Sequence, residues 1–370
     1  MSSPDQDVAA PLAGIKVIDF SELLPGPFFT QSLVELGATV IKIERPPFGD
    51  NVRHMGPGVF NSVNRGKQSL VVDLKDESNR ARVLSLIATA DVLVESYRPG
   101  VMARLGMDYA SLKNQYPKLI YVSLSGYGQN GPWSNLPGHD INYLAAAGVL
   151  ALSGEVDGDP AQSYGLPIAD LCGAMYALSS TTAALFQRHT TGVGQYLDVA
   201  LADCALHWLN PRIGSFSETK ATNLGEQREA ALVKPAYGVF ACSDGQFISI
   251  AALEDQFWLR LCKALGMHPY EGESYLRLKD RKPVAREINL RLTEIVASKN
   301  SATLFDLLKS HDVPVAPMVE PSNVQFLPQF AERKKFNQNE ILPFAHYPVS
   351  LSGMKLGDIG DAPSLNNYAS

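Results

Sequence analysis

Apolar runs typical of buried strands alternate with helical patterns through the first third of this chain, and the segments between them are short. Strand-like runs lie at residues 15–20, 39–43, 69–74, 91–95 and 119–124. Helical patterns lie at residues 28–36, 77–90 and 105–114. Repeated strand–helix–strand units favour a parallel sheet with right-handed crossovers. The predicted fold class is therefore α/β, with a large, doubly wound, Rossmann-like domain.

The glycine patterns that mark nucleotide sites in such sheets are missing. No Gly-x-Gly-x-x-Gly follows the first strand-like run, and no Gly-x-x-x-x-Gly-Lys-Ser/Thr occurs anywhere. The predicted sheet therefore need not bind NAD. The four cysteines are scattered without metal-ligand spacing, so we expect buried, reduced thiols and no metal site. They are Cys172, Cys204, Cys242 and Cys262.

The second half of the chain has a different character. Residues 165–188 are typical of a long helix, nearly apolar all round and therefore buried. Residues 218–229 are polar, lack apolar periodicity and indicate a crossing between domains. Strand-like runs then flank the turn at 243–245, and helices are expected from about residue 255 to 308. We predict a large domain over residues 1–220, a small α+β domain over 221–325, and a C-terminal segment over 326–370 that returns to the large domain.

Charge and hydropathy limit the kinds of partner to expect. The net charge is -6 and the pI is about 5.7, which gives no reason to expect nucleic acid or an acidic membrane. The most apolar stretch, residues 143–152, is too short to span a bilayer. Residues 1–10 lack the basic and apolar regions of a secretory signal, and residues 367–370 are not a peroxisomal address. We therefore expect a cytoplasmic protein.

Three side chains are candidates for chemistry, and each has a simpler explanation. His139 lies in a loop after a strand-like run, where an imidazole can exchange a proton near neutral pH; holding the loop by hydrogen bonds is the alternative. Asp170 opens the long apolar helix, where burial raises a carboxyl pKa and suits a proton donor, base or nucleophile; stabilisation by the helix dipole is the alternative. Glu254 follows an apolar strand, and a plain helix-start acid explains it equally well.

Several basic residues lie near the ends of the predicted strands in the first domain. They are Arg45, Lys75, Arg98 and Arg104. A phosphate-bearing ligand would be bound by such point charges and arginine forks. For each of them alone, an ordinary surface position is the better explanation.

Five short segments, taken together and in their order along the chain, carry a resemblance to a known protein family. They are Pro-Leu-Ala-Gly-Ile-Lys-Val-Ile-Asp at 11–19, Ile-Glu-Arg-Pro at 43–46, Arg-Gly-Lys-Gln-Ser-Leu-Val-Val-Asp-Leu-Lys at 65–75, Tyr-Arg-Pro-Gly-Val at 97–101 and Ser-Gly-Tyr-Gly-Gln-Asn-Gly-Pro at 125–132. Together they resemble the family III CoA-transferases (CaiB/BaiF), a superfamily that also contains the α-methylacyl-CoA racemases. The resemblance runs from about residue 11 to 265, and more loosely to about 350.

Within that superfamily, Gly-His-Asp-Ile-Asn-Tyr at residues 138–143 is similar to the racemase branch. Transferases usually lack this histidine and carry a glycine-rich loop, whereas this chain has no run of three glycines. Residues 253–257 are similar to the racemase segment that carries an active-site acid. The resemblance therefore implies an isomerase, an α-methylacyl-CoA racemase that inverts the 2-position of a 2-methyl-branched acyl-CoA by two-base proton transfer through an enolate.

The resemblance also implies roles for residues. His139 and Asp170 would be bases on opposite faces of the substrate, and Glu254 would orient the histidine from the partner subunit. The CoA moiety would contact Arg45, Val72, Asp73, Leu74, Lys75, Ser96, Tyr97, Arg98, Arg104, Gly138, Asp140, Ile141, Asn142 and Tyr143. The acyl-CoA is substrate, and no cofactor is implied. Backbone N–H groups near Asp170 are candidates for holding the enolate oxygen. The two chains of a homodimer would interlock, with each active site between two subunits.

Two alternatives and two departures from the racemase pattern remain. In a CoA-transferase, Asp170 would attack the thioester and form an acyl-aspartyl anhydride, which would leave His139 incidental. A non-catalytic CoA-ester binding protein is a third possibility, against which His139, Asp170 and Glu254 together argue. After Asp170 the chain reads Leu-Cys-Gly-Ala, and residues 232–238 read Leu-Val-Lys-Pro-Ala-Tyr-Gly, where racemases commonly have Gly-rich stretches. We therefore expect a substrate that differs from a standard branched fatty acyl-CoA.

Overall fold

The structure, a computed structural model, describes residues 9–336, 343–352 and 359–368. The chain divides into two compact units. The first comprises residues 1–150, 161–210 and 344–370, and the second comprises residues 151–160 and 211–343. Residues 1–8, 369 and 370, which entered the prediction of a cytoplasmic protein, lie outside the described residues.

Six parallel strands form the sheet of the first unit. They are β1 (Lys16–Asp19), β2 (Thr39–Glu44), β3 (Gln68–Val71), β4 (Val92–Glu95), β5 (Ile120–Ser125) and β6 (Tyr196–Ala200). Their order across the sheet is β3-β2-β1-β4-β5-β6, the order of a doubly wound Rossmann sheet. Because the strand order reverses between β1 and β4, the loops that leave these strands diverge there. The predicted doubly wound domain is confirmed.

Successive residues of these strands enter two separate cores, as expected where helices cover both faces of a parallel sheet. Val17 packs on one face with Phe29 and its neighbours. Ile18, the next residue, packs on the other face with Val83 and Ile87. The apolar runs of the sequence are therefore continuous rather than alternating, because both faces of the sheet are buried.

Helices connect the strands of the first unit, and a last helix follows β6 and continues into residues of the second unit. They are α1 (Pro25–Glu35), α2 (Val52–Met55), α3 (Pro57–Val63), α4 (Glu77–Ile87), α5 (Val101–Arg104), α6 (Tyr109–Leu112), α7 (Asp140–Ala146), α8 (Ile168–Thr191) and α9 (Leu201–Thr219). The single helix predicted at 105–114 is wrong. The chain instead forms α5 and α6, and Gly106 separates them with a left-handed backbone (φ 69°) that no helix continues through. The long helix predicted at 165–188 is α8, which ends at Gly192 (φ 74°).

Residues 366–368 pair with β3, which is an edge strand of the sheet. The side-chain oxygen of Asn367 accepts from the Ser69 N–H (2.7 Å), and that of Asn366 accepts from the Val71 N–H (3.0 Å). The Tyr368 N–H donates to the Ser69 carbonyl (2.8 Å). An open edge strand offers such groups to other chains, so this segment closes one edge of the sheet.

The second unit contains a three-stranded antiparallel sheet of β7 (Tyr237–Ala241), β8 (Phe247–Ala251) and β9 (Val315–Pro317). Its helices are α10 (Leu224–Leu232), α11 (Asp255–Leu265), α12 (Leu278–Arg281), α13 (Ala285–Ala297), α14 (Ser301–Ser310) and α15 (Pro328–Glu332). Its core includes Trp258, Ile288 and Leu304. The predicted smaller α+β domain is confirmed. Over the described residues, no helix combines the length and the apolar content that crossing a bilayer demands.

Helix α10 lies largely within the polar stretch 218–229, where the sequence shows no apolar period. The position that would face the core is taken by Arg228, which is buried. Its guanidinium donates to the carbonyls of Gly158 (2.5 Å), Val156 (3.4 Å) and Ser153. Backbone carbonyls accept from both terminal nitrogens of this buried cation, while its Nε has no partner among the described residues. The helix therefore packs without an apolar stripe.

Gly194 lies just before β6, where the chain passes very close to the backbone of Leu119. A Cβ at this position would lie 2.1 Å from the Leu119 carbonyl oxygen, which is backbone and cannot swing away. We expect Gly194→Ala to destabilise the first unit by about 1–3 kcal/mol, measured as a lowered midpoint of thermal or denaturant unfolding. Gly58→Ala, where a Cβ meets nothing within 4 Å, is the matched control. Equal midpoints for the two variants would contradict the contact.

Candidate active site

The carboxyl ends of β1, β4 and β5 open onto a cavity of about 630 Å³. Its walls are residues 22–25 after β1, 96–99 after β4 and 124–126 at the end of β5, together with parts of 134–143. In doubly wound sheets the crevice where the strand order reverses is the usual ligand site. The cavity therefore occupies the position that the topology of the sheet favours.

Buried lysines hold the wall that follows β1. Lys42, on β2, pairs with Asp50 at 2.9 Å, and both side chains are fully buried. The Lys42 ammonium also donates to the Ser21 carbonyl (2.6 Å). Asp50 accepts from the Leu23 N–H (3.2 Å). This ion pair thus fixes the loop from two sides, and it holds Leu23 in the left-handed region (φ 67°), which a bulky side chain rarely adopts.

A second buried lysine, Lys67, ties the end of β1 to the first turns of α1, on either side of this loop. Its ammonium lies 3.4 Å from the Asp19 carboxylate and donates to Thr30 (2.7 Å) and to the Pro27 carbonyl (3.0 Å). Burial lowers the pKa of Lys67, and the attraction of Asp19 opposes this fall. Moving either partner out of a buried ion pair would leave a buried charge without a counter-charge, which costs several kcal/mol. The buried pairs therefore hold the wall after β1 in one conformation.

The wall after β4 depends on Glu95. This buried carboxylate accepts from the Ser123 hydroxyl (2.5 Å) on β5 and from the Tyr97 N–H (2.8 Å). Burial raises the pKa of Glu95 to about 7, despite these two hydrogen bonds. Glu95 therefore links β4 to β5 and sets the direction in which Ser96 and Tyr97 leave the sheet.

His139 stands at the start of α7, where its backbone N–H donates to the Asn142 side chain (2.9 Å). The Tyr143 hydroxyl donates to the carbonyl of Gly138, the residue before His139, and so fixes its position (2.6 Å). Tyr143 also occupies the space beside Gly126 and Gly138, since a Cβ on either would lie within 3 Å of its ring. The His139 side chain is exposed and lines the cavity.

Asp140 ties the start of α7 to the start of α8. One oxygen of its carboxylate accepts from the N–H groups of Ala169 (2.6 Å) and Asp170 (3.1 Å). These are among the groups that a helix leaves without partners in its first turn. The resemblance assigned Asp140 to the CoA segment, but it does not line the cavity. Its contacts place Asp170, and its predicted role in binding CoA stays a prediction.

Asp170 lines the same cavity as His139. Burial raises its pKa to about 7, and the charge of Asp140 adds to the rise. The positive end of the α8 dipole favours the ionised form, so burial and Asp140 together outweigh it. A carboxyl with such a pKa is present in both protonation states near neutral pH, which suits a group that both takes and gives a proton.

The structure brings together part of the predicted site. The predicted residues that line the cavity are Ser96, Tyr97, Arg98, Gly138, His139, Asn142, Tyr143 and Asp170. Those that do not are Arg45, Val72, Asp73, Leu74, Lys75, Arg104, Asp140, Ile141 and Glu254. Val72 packs in the core, so only its backbone is available to a ligand. Arg45 is half exposed and lies 3.7 Å from Glu22.

Glu254 belongs to the second unit, where it precedes the first turn of α11. Its side chain is exposed and forms no ion pair with another described residue. The neighbouring Asp255 carries the structural contacts, since its carboxylate pairs with Arg277 (3.2 Å) and Arg281 (3.4 Å). The role of Glu254 towards His139 stays a prediction.

The expectation that backbone N–H groups near Asp170 hold an oxyanion is wrong for two of them. The Ala169 and Asp170 N–H groups already donate to Asp140. Sequence reasoning missed another donor, Ser125, at the carboxyl end of β5. Its hydroxyl is buried, lines the cavity and has no hydrogen-bond partner among the described residues. Its position directly after the apolar run 119–124 was the available signal.

A second residue that the sequence did not single out is Glu22, in the loop after β1. It lines the cavity, and burial raises its pKa, although the nearby Arg45 opposes this rise. Glu22 adds a second carboxyl group to the cavity that His139 and Asp170 line.

A family model for CoA-transferase family III matches residues 12–367. The chain belongs to this family. An acetyl-CoA:oxalate CoA-transferase of Acetobacter aceti is 34% identical over 350 residues, which cover 93% of this chain and 90% of that protein. An α-methylacyl-CoA racemase of Homo sapiens is 32% identical over 347 residues, which cover 92% and 86%. The family thus contains similar proteins with both activities, and this chain is an enzyme of that superfamily.

Solved structures agree with the family assignment. A CaiB/BaiF family protein from Brucella suis matches with a TM-score of 0.84 and 30% identity, and 97% of each chain is covered. The protein Rv3272 from Mycobacterium tuberculosis matches with a TM-score of 0.84 and 28% identity, over 97% of this chain and 98% of that one. The resemblance to the family III CoA-transferases is confirmed, and an acyl-CoA substrate is what family membership implies.

The variant Asp140→Asn separates the charge of Asp140 from its hydrogen bonds. The amide oxygen can still accept from the two N–H groups at the start of α8, while the negative charge is lost. We expect the pKa of Asp170 to fall below about 7 but to stay above its ordinary value, because burial remains. Carbon-13 NMR titration of labelled aspartate measures this, with Asp203→Asn as the control. An unchanged pKa would show that Asp140 does not act on Asp170.

The raised pKa of Asp170 also predicts how stability depends on pH. The folded pKa of about 7 exceeds the unfolded value of about 3.9, so the folded state keeps a proton that the unfolded state has lost. In the wild type, the contribution of Asp170 to the free energy of unfolding is fully present below about pH 4 and is lost as pH rises to about 7. Asp170→Asn has no carboxyl proton to release, so we expect its stability relative to the wild type to rise between about pH 4 and pH 7, by at most about 4 kcal/mol. A difference in unfolding midpoint that does not change with pH would refute the shift.

Proposed function

We propose that this protein is an α-methylacyl-CoA racemase that inverts the carbon next to an acyl-CoA thioester. The observation that carries the proposal is the placement of His139 and Asp170 on one cavity, with the pKa of Asp170 raised to about 7. Inversion requires a base on one face of the carbon and an acid on the other. A neutral imidazole and a protonated carboxyl supply them near neutral pH.

In the proposed reaction, one of the two groups removes the proton from the α carbon and leaves an enolate. The other group then donates its proton to the opposite face of the same carbon. With the opposite enantiomer the two groups exchange roles. The proton count is balanced, because one residue takes the proton that the α carbon loses and the other residue supplies the proton that the α carbon regains.

The enolate oxygen needs a hydrogen-bond donor, because negative charge develops on it as the proton leaves. The Ser125 hydroxyl is a suitable donor, being buried at the cavity wall with no partner among the described residues. A donor that is unpaired before substrate binds does not have to break another hydrogen bond to act. We propose that Ser125 holds the thioester oxygen and the enolate that forms from it.

The second candidate is a CoA-transferase, in which the Asp170 carboxylate attacks the thioester carbonyl and expels CoA as thiolate. The observation that favours it is the relationship to acetyl-CoA:oxalate CoA-transferase at 34% identity. Asp170 stands at a helix start on the cavity wall, where a nucleophile would also be useful. Against it, burial keeps much of this carboxyl protonated at neutral pH, and a protonated carboxyl is a poor nucleophile.

The proposal includes assembly. We propose that the protein is a cytoplasmic homodimer and that the exposed Glu254 of one chain approaches His139 of the other, as the resemblance implies. Glu254 would then hold the imidazole in one tautomer by a hydrogen bond. Sedimentation or light scattering tests the dimer, and a monomer at working concentration would contradict it.

The decisive experiment incubates the protein in D₂O with one enantiomer of a 2-methylacyl-CoA and no free carboxylic acid. We expect deuterium at the α carbon together with loss of optical purity, measured by mass spectrometry and chiral chromatography. A parallel reaction with added acetate or oxalate measures CoA transfer. Transfer without α-deuteration would overturn the racemase proposal and make Asp170 a nucleophile.

Variants distinguish the two mechanisms within the same assay. His139→Gln should lower the racemisation rate by at least about 100-fold, because general acid–base catalysis contributes that much, while a transferase would retain CoA transfer. Asp170→Asn should abolish both activities. His189→Gln, an exposed position near the far end of α8, is the matched control. Full racemase activity in His139→Gln would refute the two-base assignment.

A further inference from the structure

All four cysteines of the chain are free thiols buried in the structure, and two of them lie together. Cys172 is on α8 and Cys204 is on α9, and both belong to the same apolar core of the first unit. Their thiol groups interact directly as hydrogen-bonding partners. Cys242 and Cys262 belong to the core of the second unit. The fold therefore brings two sulfur atoms together from helices that β6 separates in sequence.

Two further contacts show that α8 and α9 pack closely where these cysteines lie. Gly173, next to Cys172, is so near to α9 that a Cβ on it would lie 2.2 Å from the Leu201 side chain. Further along α8, the Tyr176 hydroxyl lies 2.5 Å from Nδ1 of His207 on α9. The two cysteines stand among these contacts, so the packing of the helices holds their thiols together in the folded chain.

The two thiols are not equivalent. The hydrogen bond from Cys172 lowers the pKa of the Cys204 thiol, although burial and the charge of Asp203 oppose this fall. The same hydrogen bond raises the pKa of Cys172. Cys204 also keeps 9% of its surface exposed, whereas Cys172 has none. Because the thiolate is the reactive form of cysteine, Cys204 is the sulfur that a small oxidant attacks first.

Both helices also border the cavity of the candidate active site. Asp170, which lines the cavity, precedes Cys172 on the first turns of α8. Leu201, which lines the same cavity, begins α9 and precedes Cys204 by about one turn. A covalent bond requires two sulfur atoms to lie closer together than a hydrogen bond does. A link between the two cysteines would therefore change the spacing of the cavity wall beside Asp170.

We propose that Cys172 and Cys204 form a reversible oxidation site, at which hydrogen peroxide closes a disulfide that slows the reaction in the adjoining cavity. The Cys204 thiolate attacks one peroxide oxygen and the O–O bond breaks, which leaves a sulfenic acid and a hydroxide that takes up the proton Cys204 had released. The Cys172 sulfur then attacks the Cys204 sulfur, the S–O bond breaks, and the departing hydroxide takes the Cys172 proton. Two thiols and one peroxide thus give one disulfide and two water molecules, and a dithiol reductant reverses the oxidation.

Titration of the reduced full chain with hydrogen peroxide, followed by mass spectrometry without reductant, tests the site. We expect the loss of two hydrogen atoms per chain and a fall in free thiols from four to two. Trypsin cleaves after Arg188, which separates the two cysteines, so the disulfide is recovered as one cross-linked pair of peptides. Four thiols that persist, or a disulfide that joins any other cysteines, would overturn the proposal.

The effect on the reaction is measured as the rate of α-deuteration, a readout that rests on the proposed function. We expect the oxidised protein to exchange the α proton at least about 10-fold more slowly than the reduced protein, because small displacements of catalytic groups have effects of this size. Dithiothreitol should restore the rate. Cys204→Ser should form no disulfide and keep its own rate after peroxide, whereas the matched control Cys242→Ser should respond as the wild type does. Circular dichroism checks that both variants fold. Equal rates for the oxidised and the reduced wild type would refute the switch.

The formation of the disulfide is independent of the proposed racemase chemistry, because mass spectrometry detects it without any substrate. A reduced protein that fails to deuterate the α carbon, yet forms the disulfide with peroxide, would reject the racemase alone, and CoA transfer would then measure the effect of oxidation. Intact racemisation without formation of the disulfide would reject the oxidation site alone.

Discussion

One oxygen of the Asp140 carboxylate accepts hydrogen bonds from the two N–H groups that begin helix α8, and the geometry of the active site depends on this contact. The contact sets α8 relative to α7, so His139 and Asp170 face one cavity although they are far apart in sequence. It also leaves a negative charge beside Asp170. The same side chain therefore determines both where the acid lies and how strongly it holds its proton.

The parallel sheet supplies the second constraint. Its strand order reverses between β1 and β4, so the loops that follow these strands separate and leave a crevice. Such a crevice would be filled by mobile loops if nothing held them. Here Lys42 holds the loop after β1, Lys67 ties the end of β1 to α1, and Glu95 fixes the loop after β4. Polar groups buried at the carboxyl ends of strands thus define the shape of the site, while the apolar residues of the strands define the fold.

Much of the fold could be predicted from the sequence, because strands buried on both faces appear as continuous apolar runs. The position of His139 after such a run, and the apolar setting of Asp170, were likewise readable in the chain. The predicted helix at 105–114 failed because one glycine with a left-handed backbone divides it. Helix α10 gave no signal because Arg228 occupies its buried face and satisfies its charge with carbonyls distant in sequence.

The remaining features of the site could not be predicted, since each depends on contacts between distant segments. Asp140 was assigned to ligand binding by resemblance, yet its partners lie about thirty positions further on. The unpaired Ser125 hydroxyl is defined by the absence of a partner among the described residues, which no local pattern reveals.

The hydrogen bonds of residues 366–368 to β3 have a consequence for how the chain is made. The Ser69 N–H and the Asn367 side chain that covers it are 298 positions apart. A nascent chain emerging from the ribosome therefore carries an uncovered strand edge throughout the synthesis of the second unit. During that interval, the uncovered β3 edges of neighbouring nascent chains on one messenger RNA can pair with each other. A chaperone that covers β3 would protect this edge until residues 366–368 are made.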